Sequence, residues 1–138
     1  MQQPEIRCRV RAFDHLVLTV KDIPATVQFY TKVLGMSGLQ FVAADGTKRW
    51  ALKFGQNKIN LHQHDREFEP KADAPTPGSG DICLLTDVPL DAWLAHLASN
   101  QVEVEDGPVQ RSGATGPIMS LYLRDPDGNL IEVSTRAN

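Results

Sequence analysis

The order of secondary-structure signals repeats once along this chain, and that repetition constrains the fold more than any single motif does. Residues 13–20 (FDHLVLTV) alternate as a strand, with His15, Val17 and Thr19 on one face and Leu16, Leu18 and Val20 on the other. Asp22 and Pro24 open a helix and Gly35 stops it, with Ile23, Val27, Tyr30 and Leu34 at helical spacing between them. Strands are then predicted near 37–43, 48–54 and 57–63, with turns at Asp45-Gly46 and Gly55-Gln56-Asn57.

After residues 65–80 (DREFEPKADAPTPGSG), which read as an ordered or semi-rigid connector, the same order begins again. Residues 81–86 are a strand. Asp87 and Pro89 open a helix whose Leu90, Trp93, Leu94 and Leu97 share a face. A strand is expected at 102–109, a loop at 110–117, and strands at 119–125 and 129–135 around Pro126-Asp127-Gly128. Each helix opens with Asp-x-Pro, and the closing strands KINLH and LIEVS correspond. The expected class is therefore α+β: two βαβββ units, about 12–64 and 81–136, forming one domain over 1–138.

Composition sets limits. With 138 residues, 41% hydrophobic and a net charge of −3, the chain can bury a core and lacks the basic face that nucleic acid needs. No apolar run is long enough to span a membrane, and the polar start MQQPEIRCRVR does not resemble a secretory signal, so a cytoplasmic location is expected. Cys8 is expected to be a free surface thiol and Cys83 a core thiol.

Aligning the closing strands sets Asn60 on Glu132 and His62 on Ser134, and aligning the opening strands sets His15 on Asp81. If each unit curls into half a barrel, His15, Asn60, Asp81 and Glu132 converge on its concave side while Leu16, Ile59, Ile82, Ile131 and Val133 face the helices. An imidazole and carboxylates turned inward are costly unless paired, hydrogen-bonded or coordinated, and a divalent ion would satisfy them. Read singly, His15 is also compatible with an ordinary core histidine, and Asp81 with a turn cap.

The stretches HLVLTVKDIPATVQFYTKVLGM, KINLHQ and YLRDPDGNLIEVS resemble the vicinal oxygen chelate superfamily, which includes glyoxalase I, fosfomycin-resistance thiol transferases, extradiol dioxygenases and bleomycin-binding proteins. Within it, KINLHQHDREFEPKA, GDICLLT and RSGATGPIMSLYLRDPDGNLIEVS resemble glyoxalase domain-containing protein 5 and bacterial virulence-associated relatives. The likeness runs from about residue 13 to 136. It implies a glyoxalase/bleomycin resistance/dihydroxybiphenyl dioxygenase fold with a half-barrel metal cleft.

The resemblance further implies a divalent ion (Ni, Co, Mn, Fe, Zn or Mg) held by His15 and Glu132. Asp81 stands where the metalloenzymes usually carry His. Asn60 stands where they carry Glu, Gln or His, and His62, two residues on, is a further candidate ligand. Glu132 is the expected proton carrier. Asn60, Trp50, Arg111 and Tyr122 are expected in the substrate pocket, with Phe41 and Phe54 as possible apolar lining.

The implied activity is that of a glyoxalase-like metal-dependent lyase or isomerase, acting on vicinal oxygens of a small substrate and stabilising an enolate or alkoxide. The alternatives are a non-catalytic binding or drug-sequestering protein of the bleomycin-resistance type and an extradiol-type dioxygenase. A small-molecule substrate and a homodimer are the expected partners.

Overall fold

The computed structural model of the chain describes residues 5–137. The first unit runs β1 (His15–Val20), α1 (Ile23–Lys32), β2 (Ser37–Val42), β3 (Lys48–Phe54) and β4 (Asn57–Gln63); the second runs β5 (Asp81–Leu85), α2 (Leu90–Ser99), β6 (Asp106–Gly113), β7 (Gly116–Arg124) and β8 (Leu130–Arg136). Each unit makes a four-stranded mixed sheet, in the orders β1-β4-β3-β2 and β5-β8-β7-β6. The opening strand pairs parallel with the closing one, and the other pairs are antiparallel. The expected βαβββ duplication is therefore present.

Helix α1 starts as its sequence implies. Asp22 is the N-cap, its carboxylate accepting from Ala25 N at 3.1 Å, with Pro24 in the first turn. Helix α2 departs from its counterpart. It begins after Pro89 without a side-chain cap, and Thr86 Oγ1 instead accepts from Val88 N and Trp93 Nε1.

The period-2 pattern decides which face of each strand is buried. Leu18 and Val20 from β1, Leu52 from β3, Ile59 and Leu61 from β4, and Leu121, Leu123, Ile131 and Val133 from β7 and β8 join Tyr30 and Leu97 in one apolar cluster. Alternation then leaves His15, Asn60, Asp81, Cys83 and Glu132 on the opposite strand faces.

The expected strand at 102–109 and loop at 110–117 are displaced. β6 begins at Asp106, and Arg111, Ser112 and Gly113 belong to it, closing on Gly116 through the two-residue turn Ala114-Thr115. The register shifts between Asp106 and Val109, where Pro108 offers no N–H to the ladder. Gly107, at φ +107°, lies so close to β7 that a Cβ would strike the Ser120 carbonyl oxygen.

A buried polar knot ties the units together. Asp125 accepts from Tyr30 Oη at 2.7 Å and from Asn129 N and Nδ2, and Asn129 Oδ1 accepts from Gly80 N. It spans helix α1, the β7–β8 turn and the start of β5, and the buried Tyr30 hydroxyl is held protonated by desolvation and by the adjacent Asp125 charge.

Candidate functional site

Glu132 projects from the middle of β8 between two buried apolar residues, Ile131 and Val133. It is half-buried. Its Oε2 accepts from Ser120 Oγ at 2.5 Å and from Ser134 Oγ at 3.5 Å. Both serines are fully buried, and their hydroxyls lie 2.7 Å apart. One carboxylate oxygen is thus anchored by hydroxyls of β7 and β8, while Oε1 has no hydrogen-bond partner among the described residues.

Register places Glu132's neighbours. Cys83 is opposite it on β5, and Tyr122 is opposite it on β7. Tyr122 Oη accepts from Arg111 Nε at 3.0 Å, with the guanidinium 5.4 Å from the ring centre. Glu132, Tyr122, Arg111, Cys83 and Arg136 line a cavity of about 380 Å³. Desolvation pushes the Cys83 thiol up, and the Glu132 charge adds to it; the thiol is a poor nucleophile here.

His15 and Asp81 come together in an adjoining cavity of about 580 Å³, with Phe54 and Lys58 among its walls. Cys83 and Leu85 line both cavities. His15 and Asp81 are exposed, and His15 Nδ1 lies 2.7 Å from Asp14 Oδ1, which holds the Asp14 carboxyl below its usual range. Exposure removes the burial penalty that the sequence argument relied on for these two residues.

His62 goes elsewhere. It is buried beside Thr19 on the first sheet and lines a third cavity, roofed by the connector. The Phe68 ring meets it edge-on at 5.5 Å, and the Arg49 guanidinium lies 4.0 Å over that ring. Asn60, half-buried on the same strand face, has an Oδ1 without a hydrogen-bond partner.

Trp50 lies on the core side of β3. It pairs with Leu61, packs against the apolar cluster, and approaches Gly38 beneath α1, while Ala51 takes the face shared with Asn60. One residue of strand phase separates the two positions. Phe41 lies under Lys58 Nζ at 4.4 Å. Sequence reasoning missed the Ser120–Ser134 cradle; the alternation of β7 and β8 placed both serines on Glu132's face, but serine alone carries little signal.

The donor set can be tested against a divalent ion directly. Among the described residues no group of three His, Cys, Asp or Glu side chains could hold a metal. His15 and Asp81 share one cavity, Glu132 lines the next and His62 a third, so one chain by itself does not fit the ion.

Comparison with known proteins agrees with the fold and sets the lineage. Virulence protein STM3117 of Salmonella typhimurium is 51% identical over 129 residues, covering 94% of this chain and 87% of its own. Its crystal structure superposes with a TM-score of 0.88 at 50% identity, over 94% of this chain and 100% of that one. Glyoxalase domain-containing protein RDO1 of Mycosarcoma maydis is 49% identical, covering 97% of this chain and 73% of its own. An integron cassette protein from the mobile metagenome of V. cholerae superposes with a TM-score of 0.89 at 52% identity, over 96% and 100% of the two chains. The family model of the Glyoxalase/Bleomycin resistance protein/Dioxygenase superfamily matches residues 12–133, and this chain belongs to that superfamily.

Proposed function

We propose that the chain is a glyoxalase-like lyase or isomerase that moves a proton next to a carbonyl of a small oxygen-bearing substrate. The observation that carries this is Glu132: one carboxylate oxygen fixed by Ser120, the other free in a cavity that also holds Arg111 and Tyr122. A general base needs this combination, a fixed orientation with an open lone pair. Arg111 and Tyr122 offer N–H and O–H donors to a substrate oxygen that gains negative charge as the proton leaves.

The resemblance implies a divalent ion held by His15 and Glu132, with Asp81 and His62 as further candidate ligands, a set that a single chain does not gather. A second copy is the remaining source of donors. Val17 and Leu85, apolar and largely exposed on the strand faces that carry His15 and Cys83, leave surface that a homodimer would cover.

A second reading, binding without catalysis, is favoured by that dispersed donor set. One experiment separates the two. Protein purified without chelator is assayed for metal by elemental analysis, then given hemithioacetals of small 2-oxoaldehydes with and without added Ni, Co, Mn, Fe, Zn or Mg. Isomerisation of the adduct supports the enzyme. Saturable binding without turnover, no bound metal and no metal-induced rise in melting temperature would establish the binding protein.

A further inference from the structure

Beneath the connector lies a cavity of about 390 Å³ whose floor is formed by β1 and β4 and whose roof is residues 70–80. It is separate from the Glu132 cavity, with which it shares no lining residue. Two polar side chains stand side by side in its floor: Thr19 and His62 are register partners on adjacent parallel strands. Thr19 is 9% and His62 6% exposed, and neither side chain makes a hydrogen bond among the described residues. The polar atoms of both side chains stay open to the cavity rather than sealed in the core, so a donor–acceptor pair on its floor is available to a ligand that enters it.

The rest of the lining says what kind of ligand. Val17, Leu18, Pro70, Ala72, Ala74 and Pro75 make the walls apolar. The hydroxyls nearest the roof are already used within the connector, Thr76 Oγ1 donating to Ala74 O and Ser79 Oγ to Thr76 O. Lys71 is the cation of the lining, but its Nζ lies 3.3 Å from Glu69 Oε1 and 3.8 Å from Glu67 Oε1. Arg49, behind His62, is paired with Asp45 at 2.8 Å. Both cations near the cavity therefore have carboxylate partners, and the Glu67 side chain, 6% exposed with Oε2 unpaired, adds a buried acceptor to the wall behind. The His62 imidazole and the Thr19 hydroxyl can each donate and accept a hydrogen bond.

We propose that this cavity binds a small, uncharged molecule with an apolar body and a hydroxyl group, the hydroxyl being held between His62 and Thr19. An anion would find its cations already engaged and a buried carboxylate nearby. A hydrocarbon would leave both floor groups unsatisfied. A neutral alcohol satisfies both and fills apolar walls. The site does not depend on a metal or on Glu132.

The test follows the ring proton resonances of His62 by NMR in the whole protein, with chelator present throughout so that the outcome is independent of the metal reading. Cyclohexanol and cyclohexanecarboxylate are the matched probes. Cyclohexanol is expected to shift the His62 signals saturably, binding at least tenfold more tightly than the carboxylate. Thr19→Val, which keeps shape and removes the hydroxyl, is expected to weaken cyclohexanol binding by about fivefold while leaving the melting temperature equal or higher. The proposal is overturned if neither probe shifts His62 or if the carboxylate binds as tightly as the alcohol. It is overturned equally if Thr19→Val lowers the melting temperature without changing affinity, because the hydroxyl would then serve the fold.

Discussion

In the first unit, β3 and β4 are joined by Gly55 and Gln56; in the second, the same position holds the five residues Asp125–Asn129. The short turn serves only its own hairpin. The longer one reaches across the molecule, its Asp125 taking the Tyr30 hydroxyl from α1 and its Asn129 taking Gly80 N at the entrance to β5. The concave faces differ in the same way. Unit two sets a carboxylate on buried serines, the arrangement we propose for proton transfer. Unit one sets an imidazole and a threonine under a roof of connector, the arrangement we propose for binding. A duplicated framework has kept its strand order while the halves acquired different chemistry at equivalent positions, Asn60 against Glu132 and His62 against Ser134.

The largest effect should come from removing the tie between units. Asp125→Ala leaves the Tyr30 hydroxyl and the Asn129 amide donors without their acceptor, and should cost about 3 kcal/mol or more by denaturant titration. If the loss is under about 1 kcal/mol, the units are held by apolar packing alone. Next, Ser120→Ala frees the anchored oxygen of Glu132. Turnover in the hemithioacetal assay should fall about tenfold through kcat with KM nearly unchanged. A loss confined to KM would make the serine part of substrate binding instead.

A smaller contrast lies in the helix starts. Asp22→Ala should cost about 1 kcal/mol, the ordinary worth of an N-cap. Asp87→Ala should cost less than about 0.5 kcal/mol, because Asp87 caps nothing. Equal losses at the two positions would erase the distinction. The smallest effect is a pH slope. The folded pKa of His62 is depressed, so between neutrality and pH 5 the unfolded chain takes up a proton that the folded one resists, and stability falls as pH drops. In His62→Asn that part of the decline should vanish from melting curves; an unchanged slope would show that His62 is not desolvated.

Much of this was legible in the sequence. Strand alternation, the two helices and the Asp127-Gly128 turn gave the duplication, because period and turn chemistry are local properties of the chain. The core faces followed from Leu18, Ile59, Ile131 and Val133. What escaped depends on neighbours in space. Pro108 displaced β6 through ladder geometry, and Trp50 fell on the core side because one residue of phase separates it from Ala51. Asp87 resembles Asp22 in sequence, yet Thr86 took the local hydrogen bonds. At the candidate site, Glu132, Tyr122 and Arg111 line one cavity, whereas His62 was drawn under a connector whose path no periodicity encodes. The serine cradle was invisible for a similar reason: its meaning lies in the pairing of β7 with β8.

The assignment of chemistry to unit two rests on the free oxygen of Glu132. Its most direct measurement is solvent deuterium exchange at the carbon beside the carbonyl of a hemithioacetal, read by mass spectrometry for the native protein and for Glu132→Gln. The native protein should catalyse exchange or isomerisation, and Glu132→Gln, folded and melting within a few degrees of it, should lose about a hundredfold or more of that rate. An unchanged rate in Glu132→Gln would contradict the account and move the proton-carrying group elsewhere in the molecule.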